Sequence, residues 1–110
     1  MDKIVENGML YDFYGTMLTG HQQEIMEMAV YRDLSLSEIA QAEGISRQAV
    51  SDLLRRASAE MQRYEDHLHL VERFRRVGVI LDDIGEKAGA GESVPSSFLL
   101  QAVAAIRKEL

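Results

Sequence analysis

Arg47, Gln48, Ser51, Asp52 and Arg55 lie within a nine-residue stretch, at spacings that put them on the exposed side of a helix's first turns. Together these side chains can read base edges. Arginine presents a planar fork to guanine, and the glutamine amide matches adenine. Serine pairs with several bases, and aspartate accepts from the cytosine amino group. Ser46 stands directly before them as an N-cap, and the helix end it opens favours a phosphate. Ser46, Arg47, Gln48, Ser51, Asp52 and Arg55 are therefore the candidate nucleic-acid-binding set. Asp52 also repels phosphate, so the same face suits a scaffold kept for protein contact.

Other chemistries find little support. His67 and His69 are two residues apart, so on a helix they diverge and cannot share a metal. With His21 they read as structural or solvated, and no metal or other cofactor is expected. The chain has no cysteine, which removes disulfide scaffolds, zinc fingers and thiol catalysis. Gly85, Gly89 and Gly91 are followed by no Lys-Ser/Thr pair, so they read as a linker and not a phosphate loop. No nucleophile–base pair is recognisable, and an enzyme is not expected. Arg63, Arg73, Arg75 and Arg76 form a basic patch that suits phosphate or pairing with Glu65, Asp66 and Glu72.

Charge is unevenly spread. The total is −6, a poor balance for a phosphate binder taken whole. Residues 1–44 carry two basic and eight acidic residues, whereas residues 45–76 carry seven arginines against five acids. The reading face thus falls in the one basic stretch.

The elements that must position that face are legible in 36–55, LSEIAQAEGISRQAVSDLLR. Two helices crossing in a helix-turn-helix need a small residue at the crossing, a glycine in the turn and a branched apolar residue in the second helix. Ala40, Gly44 and Val50 supply these as the motif core. Ile39, Ile45, Leu53 and Leu54 complete the buried set, with Ala40, Val50 and Leu54 expected to be nearly fully covered. Ser35 and Glu38 form a capping box that starts the first motif helix over about 36–43, and Ser46 starts the second. Thr19 and Gln22 form another box, opening an earlier helix that ends near Arg32–Asp33. Before it, Met9, Leu10, Phe13, Tyr14, Met17 and Leu18 mark one face of a first helix.

Beyond the motif, Val50, Leu54, Ala57, Met61, Tyr64, Leu68 and Val71 alternate spacings of four and three, a heptad stripe. An offset stripe of Leu70, Phe74, Val77, Leu81 and Ile84 follows. The pattern predicts a long helix with a bend between 76 and 88, where Gly78 and Gly85 weaken it. Residues 85–97 read as a linker holding the only proline. Ser97 is expected to cap a final helix with Phe98, Leu99, Ala102, Val103, Ile106 and Leu110 inward. The expected organisation is a helix-turn-helix domain at 1–60, a dimerising long helix at 61–84, a linker at 85–97 and a C-terminal helix at 98–110. The apolar surface past Met61 exceeds what one small core needs, so a homodimer is expected.

The fold class is all-α, given one proline and few β-branched residues. No apolar run approaches the ~18 residues of a membrane span. No basic segment followed by an apolar core opens the chain, so a cytoplasmic location is expected.

The segments LTGHQQE (18–24) and LSLSEIAQAEGISRQAVSDLLRRA (34–57) resemble the fourth region of sigma factors. FYGTMLTGHQQ (13–23), GISRQAVSD (44–52) and YEDHLHL (64–70) resemble the YlxM family of bacterial helix-turn-helix proteins, a likeness spanning roughly residues 9–76. That resemblance implies a sigma-like helix-turn-helix in a bacterial cytosolic protein. Members are encoded beside the signal recognition particle GTPases. The implied partners are DNA, with signal recognition particle components as further candidates. The resemblance and the motif together lead to the expectation of a DNA-binding regulator. The alternative is a protein-binding regulator of those GTPases that uses the motif as scaffold.

Overall fold

The structure, a computed structural model, describes residues 3–110, with side chains from residue 7 onward. The described residues fold as six α-helices and one short 3-10 turn, with no strand among them. They divide into two compact units, Met1–His69 and Leu70–Leu110.

In the first unit, α1 (Lys3–Tyr14) leads through a 3-10 turn (Gly15–Met17) into α2 (Gly20–Val30), followed by α3 (Leu36–Glu43) and α4 (Arg47–Leu68). Both capping boxes form. Thr19 accepts from the Gln22 amide while Gln22 reaches back to the Thr19 N–H, and Ser35 and Glu38 do the same. These reciprocal bonds satisfy donors that a helix start otherwise leaves open. α1, α2 and α3 all pack on α4. Around the motif, Ile25, Met28, Ile39, Ala40 and Val50 form a closed cluster, and Val50 and Ile39 are 0% exposed. Further along α4, Ala57 and Met61 are buried, and Tyr14 of α1 packs beside Tyr64. The Tyr14 hydroxyl donates to Glu65 Oε1 at 2.5 Å.

Leu54 departs from expectation: it is only half-buried, because it borders an apolar recess lined also by Met26, Ala29, Leu34 and Ile39. Met17 is exposed because its 3-10 turn rotates it off the α1 stripe.

The break in the long helical run lies at His69, not between 76 and 88. His69 adopts φ 57°, ψ 29°, and its N–H donates to the Glu65 carbonyl at 2.8 Å. This left-handed cap is unusual for a residue other than glycine. It moves the end of the first unit from residue 60 to 69 and divides the expected 61–84 helix between two elements.

The second unit is a hairpin of α5 (Leu70–Gly89) and α6 (Ser96–Glu109). α5 runs uninterrupted through Gly78 and Gly85, so the connection shrinks from 85–97 to residues 90–95. α6 begins two residues early, with Pro95 and not Ser97 at the N-cap. Proline suits a helix start because it lacks the N–H that would go unsatisfied there. Arg76 links Glu72 of its own helix at 2.5 Å to Glu109 of α6 at 3.5 Å. Lys87 sits 4.2 Å above the Phe98 ring. Of the inward set expected on α6, Ala102 is buried, and Leu99, Val103 and Leu110 remain exposed.

Candidate nucleic-acid interface

The site is built from the turn between α3 and α4. Gly44 takes the left-handed conformation, φ 69° and ψ 31°, and its N–H donates back to the Ala40 carbonyl. The Ile45 N–H donates to that same carbonyl at 3.1 Å. One carbonyl thus closes α3 and reverses the chain within three residues. Ser46 then opens α4, its Oγ accepting from the Ala49 N–H at 3.0 Å. Ala40 and Val50, both buried, fix the crossing and leave the first turns of α4 projecting outward.

On those turns Arg47, Gln48 and Arg55 are exposed, and Ser51 and Asp52 are half-buried. The structure joins three of the five. Asp52 Oδ1 accepts from Gln48 Nε2 at 3.2 Å and pairs with Arg55 at 3.1 Å. The Asp52 carboxylate therefore offsets the Arg55 charge and engages one donor of the Gln48 amide. Arg47 forms no hydrogen bond or ion pair among the described residues. It is the one arginine of the predicted set whose whole donor fork is unengaged.

Behind this face lies a groove lined by His21, Ile45, Ala49, Asp52, Leu53 and Arg56. Sequence reasoning did not single out Arg56, an exposed cation without a partner among the described residues. It lies on the opposite flank of the polar face from Arg47, half a helical turn around. Its position four residues after Asp52 was the available signal. His21 was assigned no role, and its approach to the motif is tertiary: its Nε2 lies 3.9 Å from Glu43 Oε2. The other Glu43 oxygen is buried without a partner among the described residues. Between α2 and α4, Gln22 Nε2 donates to Glu60 Oε2 at 3.2 Å, and within α4 Tyr64 donates to Glu60 Oε1 at 2.8 Å. The Tyr64 bond first, then the Gln22 bond, holds the Glu60 carboxyl below the usual glutamate range.

No group of histidine, cysteine or acidic side chains among the described residues is arranged to hold a metal ion. No described helix is long and apolar enough to cross a membrane.

A capped α3, a left-handed glycine turn and an outward-facing α4 packed through Ala40 and Val50 define a helix-turn-helix protein. The likeness extends well beyond the motif: residues 1–97 match the family described as helix-turn-helix protein, YlxM / p13 like, and the chain belongs to that family. A UPF0122 protein of Symbiobacterium thermophilum is 40% identical over 109 residues, 99% of each chain. A UPF0122 protein of Acetivibrio thermocellus is 40% identical over 107 residues, 94% of this chain and 92% of its own. A third, from a Thermoanaerobacter species, is 46% identical over 76 residues, 69% of this chain and 65% of its own. The matched segment runs from α1 through all of α5 and stops at the start of α6, so the likeness is not to the motif alone.

Proposed function

We propose that this protein is a DNA-binding regulator that sets the first turns of α4 into a major groove. The observation that carries the reading is Arg47, exposed and unengaged at the capped start of a helix whose angle the Ala40–Val50 crossing fixes. Arg47 reads guanine. Gln48 and Arg55 read once they leave Asp52, or Asp52 holds them for a cytosine on the opposite strand. Ser46 and Ser51 contact backbone or base edges, and Arg56 contacts phosphate on the far flank. The protein acts in the cytoplasm as a homodimer, presenting two reading helices to a two-fold site.

Selection from random DNA tests this reading. An enriched half-site is expected, with binding that weakens steeply as salt rises. Arg47→Ala together with Gln48→Ala removes the enrichment and leaves the thermal midpoint unchanged. An enriched site bound equally by the double variant overturns Arg47 and Gln48 as readers. The Asp52 clamp favours a second reading, in which the motif is a scaffold for a protein partner such as the signal recognition particle GTPases. A selection that enriches no sequence overturns the first reading in favour of the second.

A further inference from the structure

The reading face of α4 carries one acid. Between Ile45 and Ala59, Asp52 stands alone among Arg47, Arg55 and Arg56. A carboxylate there repels phosphate, so it does not serve backbone contact. An exposed pair with an arginine three residues on adds little to the stability of a helix, so folding does not require it either.

The surroundings of Asp52 are specific. Its Oδ1 takes both neighbours, Gln48 Nε2 at 3.2 Å and Arg55 Nη2 at 3.1 Å. The carboxylate is thus held from the turn before it and the turn after it. Its Oδ2 takes no hydrogen bond from the described residues. Among those residues the side-chain atom enclosed without a partner is Glu43 Oε1, so Asp52 Oδ2 is an acceptor open to solvent. The Arg55 side chain is 72% exposed and gives Asp52 one nitrogen of its fork, so donors remain on the others.

An acceptor and a donor fork at hydrogen-bond distance from each other match one kind of base pair. In the major groove guanine and thymine offer acceptors, and adenine sets its amino group beside the N7 acceptor, which repels a carboxylate. Cytosine offers a donor with no acceptor beside it on the same base. The guanine paired with it offers O6 and N7, the two acceptors that an arginine fork takes. Asp52 and Arg55 carry, side by side, the complement of a C·G edge.

We propose that Asp52 and Arg55 read a single C·G base pair as a unit. Asp52 Oδ2 accepts from the cytosine amino group, Arg55 donates to the guanine opposite, and Gln48 positions the carboxylate. The proposal rests on the DNA-binding reading above and specifies a base pair that this face takes.

Selection from random DNA, run on the parent, Asp52→Ala, Arg55→Ala and the double variant, tests it. The parent is expected to enrich a half-site with C·G at one position, and each single variant loses preference at that same position. In each, the ratio of affinity for the parent half-site to that for unrelated DNA falls roughly tenfold. The double variant falls little further, since one base pair carries both contacts. Unrelated DNA separates the two residues: Asp52→Ala binds it more tightly at a given salt concentration, and Arg55→Ala binds it more weakly. Asp52→Asn, which replaces an acceptor by a donor, moves the preference at that position away from cytosine. Single variants that lose different positions, a shared position other than C·G, or an Asp52→Ala variant that enriches the parent site unchanged overturn the proposal. Where that site still needs Arg47, those results leave the DNA reading standing. A parent that enriches no sequence overturns both.

Discussion

α4 and α5 are built from nearly the same pattern, yet they meet different fates. Both are helices of about twenty residues that carry apolar residues at alternating spacings of four and three. In α4 the stripe closes at its centre: Val50, Ala57 and Met61 are buried because three other helices pack on α4. In α5 the stripe stays largely open, since α6 docks beside it and not upon it. Apolar periodicity alone therefore does not say how far a stripe is enclosed; the number of helices that converge on it does. The first unit is a closed core presenting a polar site, and the second is a two-helix hairpin with little fully buried apolar surface.

The largest expected effect breaks this contrast most directly. Val50→Asp sets a carboxylate in a fully enclosed crossing and costs the first unit roughly 3–5 kcal/mol, read as loss of the folded baseline in urea. Leu81→Asp, at a site 53% exposed, changes the fold of the dilute single chain by less than about 1 kcal/mol. Equal losses from the two variants would mean that the α5 stripe is enclosed by its own chain.

A glycine pair sharpens the same comparison. Gly44→Ala meets no atom within 4 Å but must adopt φ 69°, which costs about 1–2 kcal/mol. Gly78→Ala has equal space without the backbone demand and stabilises the dilute single chain by about 0.5–1 kcal/mol. Denaturant midpoints of the two variants are expected to move in opposite directions. Ser46→Ala removes the bond to the Ala49 N–H and costs about 1 kcal/mol, in the same denaturation experiment.

The smallest effects are those of pH, and they fall in the first unit. The Glu60 carboxyl, held low by Tyr64 and Gln22, releases its proton more readily folded than unfolded. Its contribution is complete above the ordinary glutamate pKa and is lost as pH falls through the lowered value. Tyr31 behaves inversely. Its hydroxyl donates to Asp12, and that bond, then burial and nearby negative charge, pushes its pKa up to about 12. Its contribution is complete below pH 10.0, the ordinary tyrosine value, and is lost as pH rises toward about 12. A tyrosinate absorbance titration is expected to show a tyrosine titrating at about 12, which Asp12→Asn returns toward the ordinary value.

What the sequence disclosed was governed by locality. The capping boxes at Thr19 and Ser35, the turn at Gly44 and the crossing of Ala40 with Val50 depend on residues within a few positions of one another. Their types state their roles. The break at His69 carries no such signal, because neither glycine nor proline stands there and the heptad stripe runs through it to Val71. Gly78 and Gly85 drew the expected bend because isolated helical glycines usually weaken a helix, whereas here they lie inside an unbroken one. At the site, helical spacing put Arg47, Gln48 and Arg55 on the exposed side, where they lie, whereas Ser51 and Asp52 are half-buried, and the Asp52 clamp went unread although its members are four and three residues apart. The neighbourhood of His21, Glu43 and Arg56 was not, since it depends on how α2 lies against the motif.

The left-handed cap at His69 ends α4 at a residue whose type gives no hint of a stop. That conformation costs a residue with a β-carbon about 1–2 kcal/mol more than glycine, so the termination of a 22-residue helix is concentrated in two torsions of one histidine. A glycine there would hold the same torsions without the cost, and a residue that favours the right-handed helix would press α4 to run on past its present end.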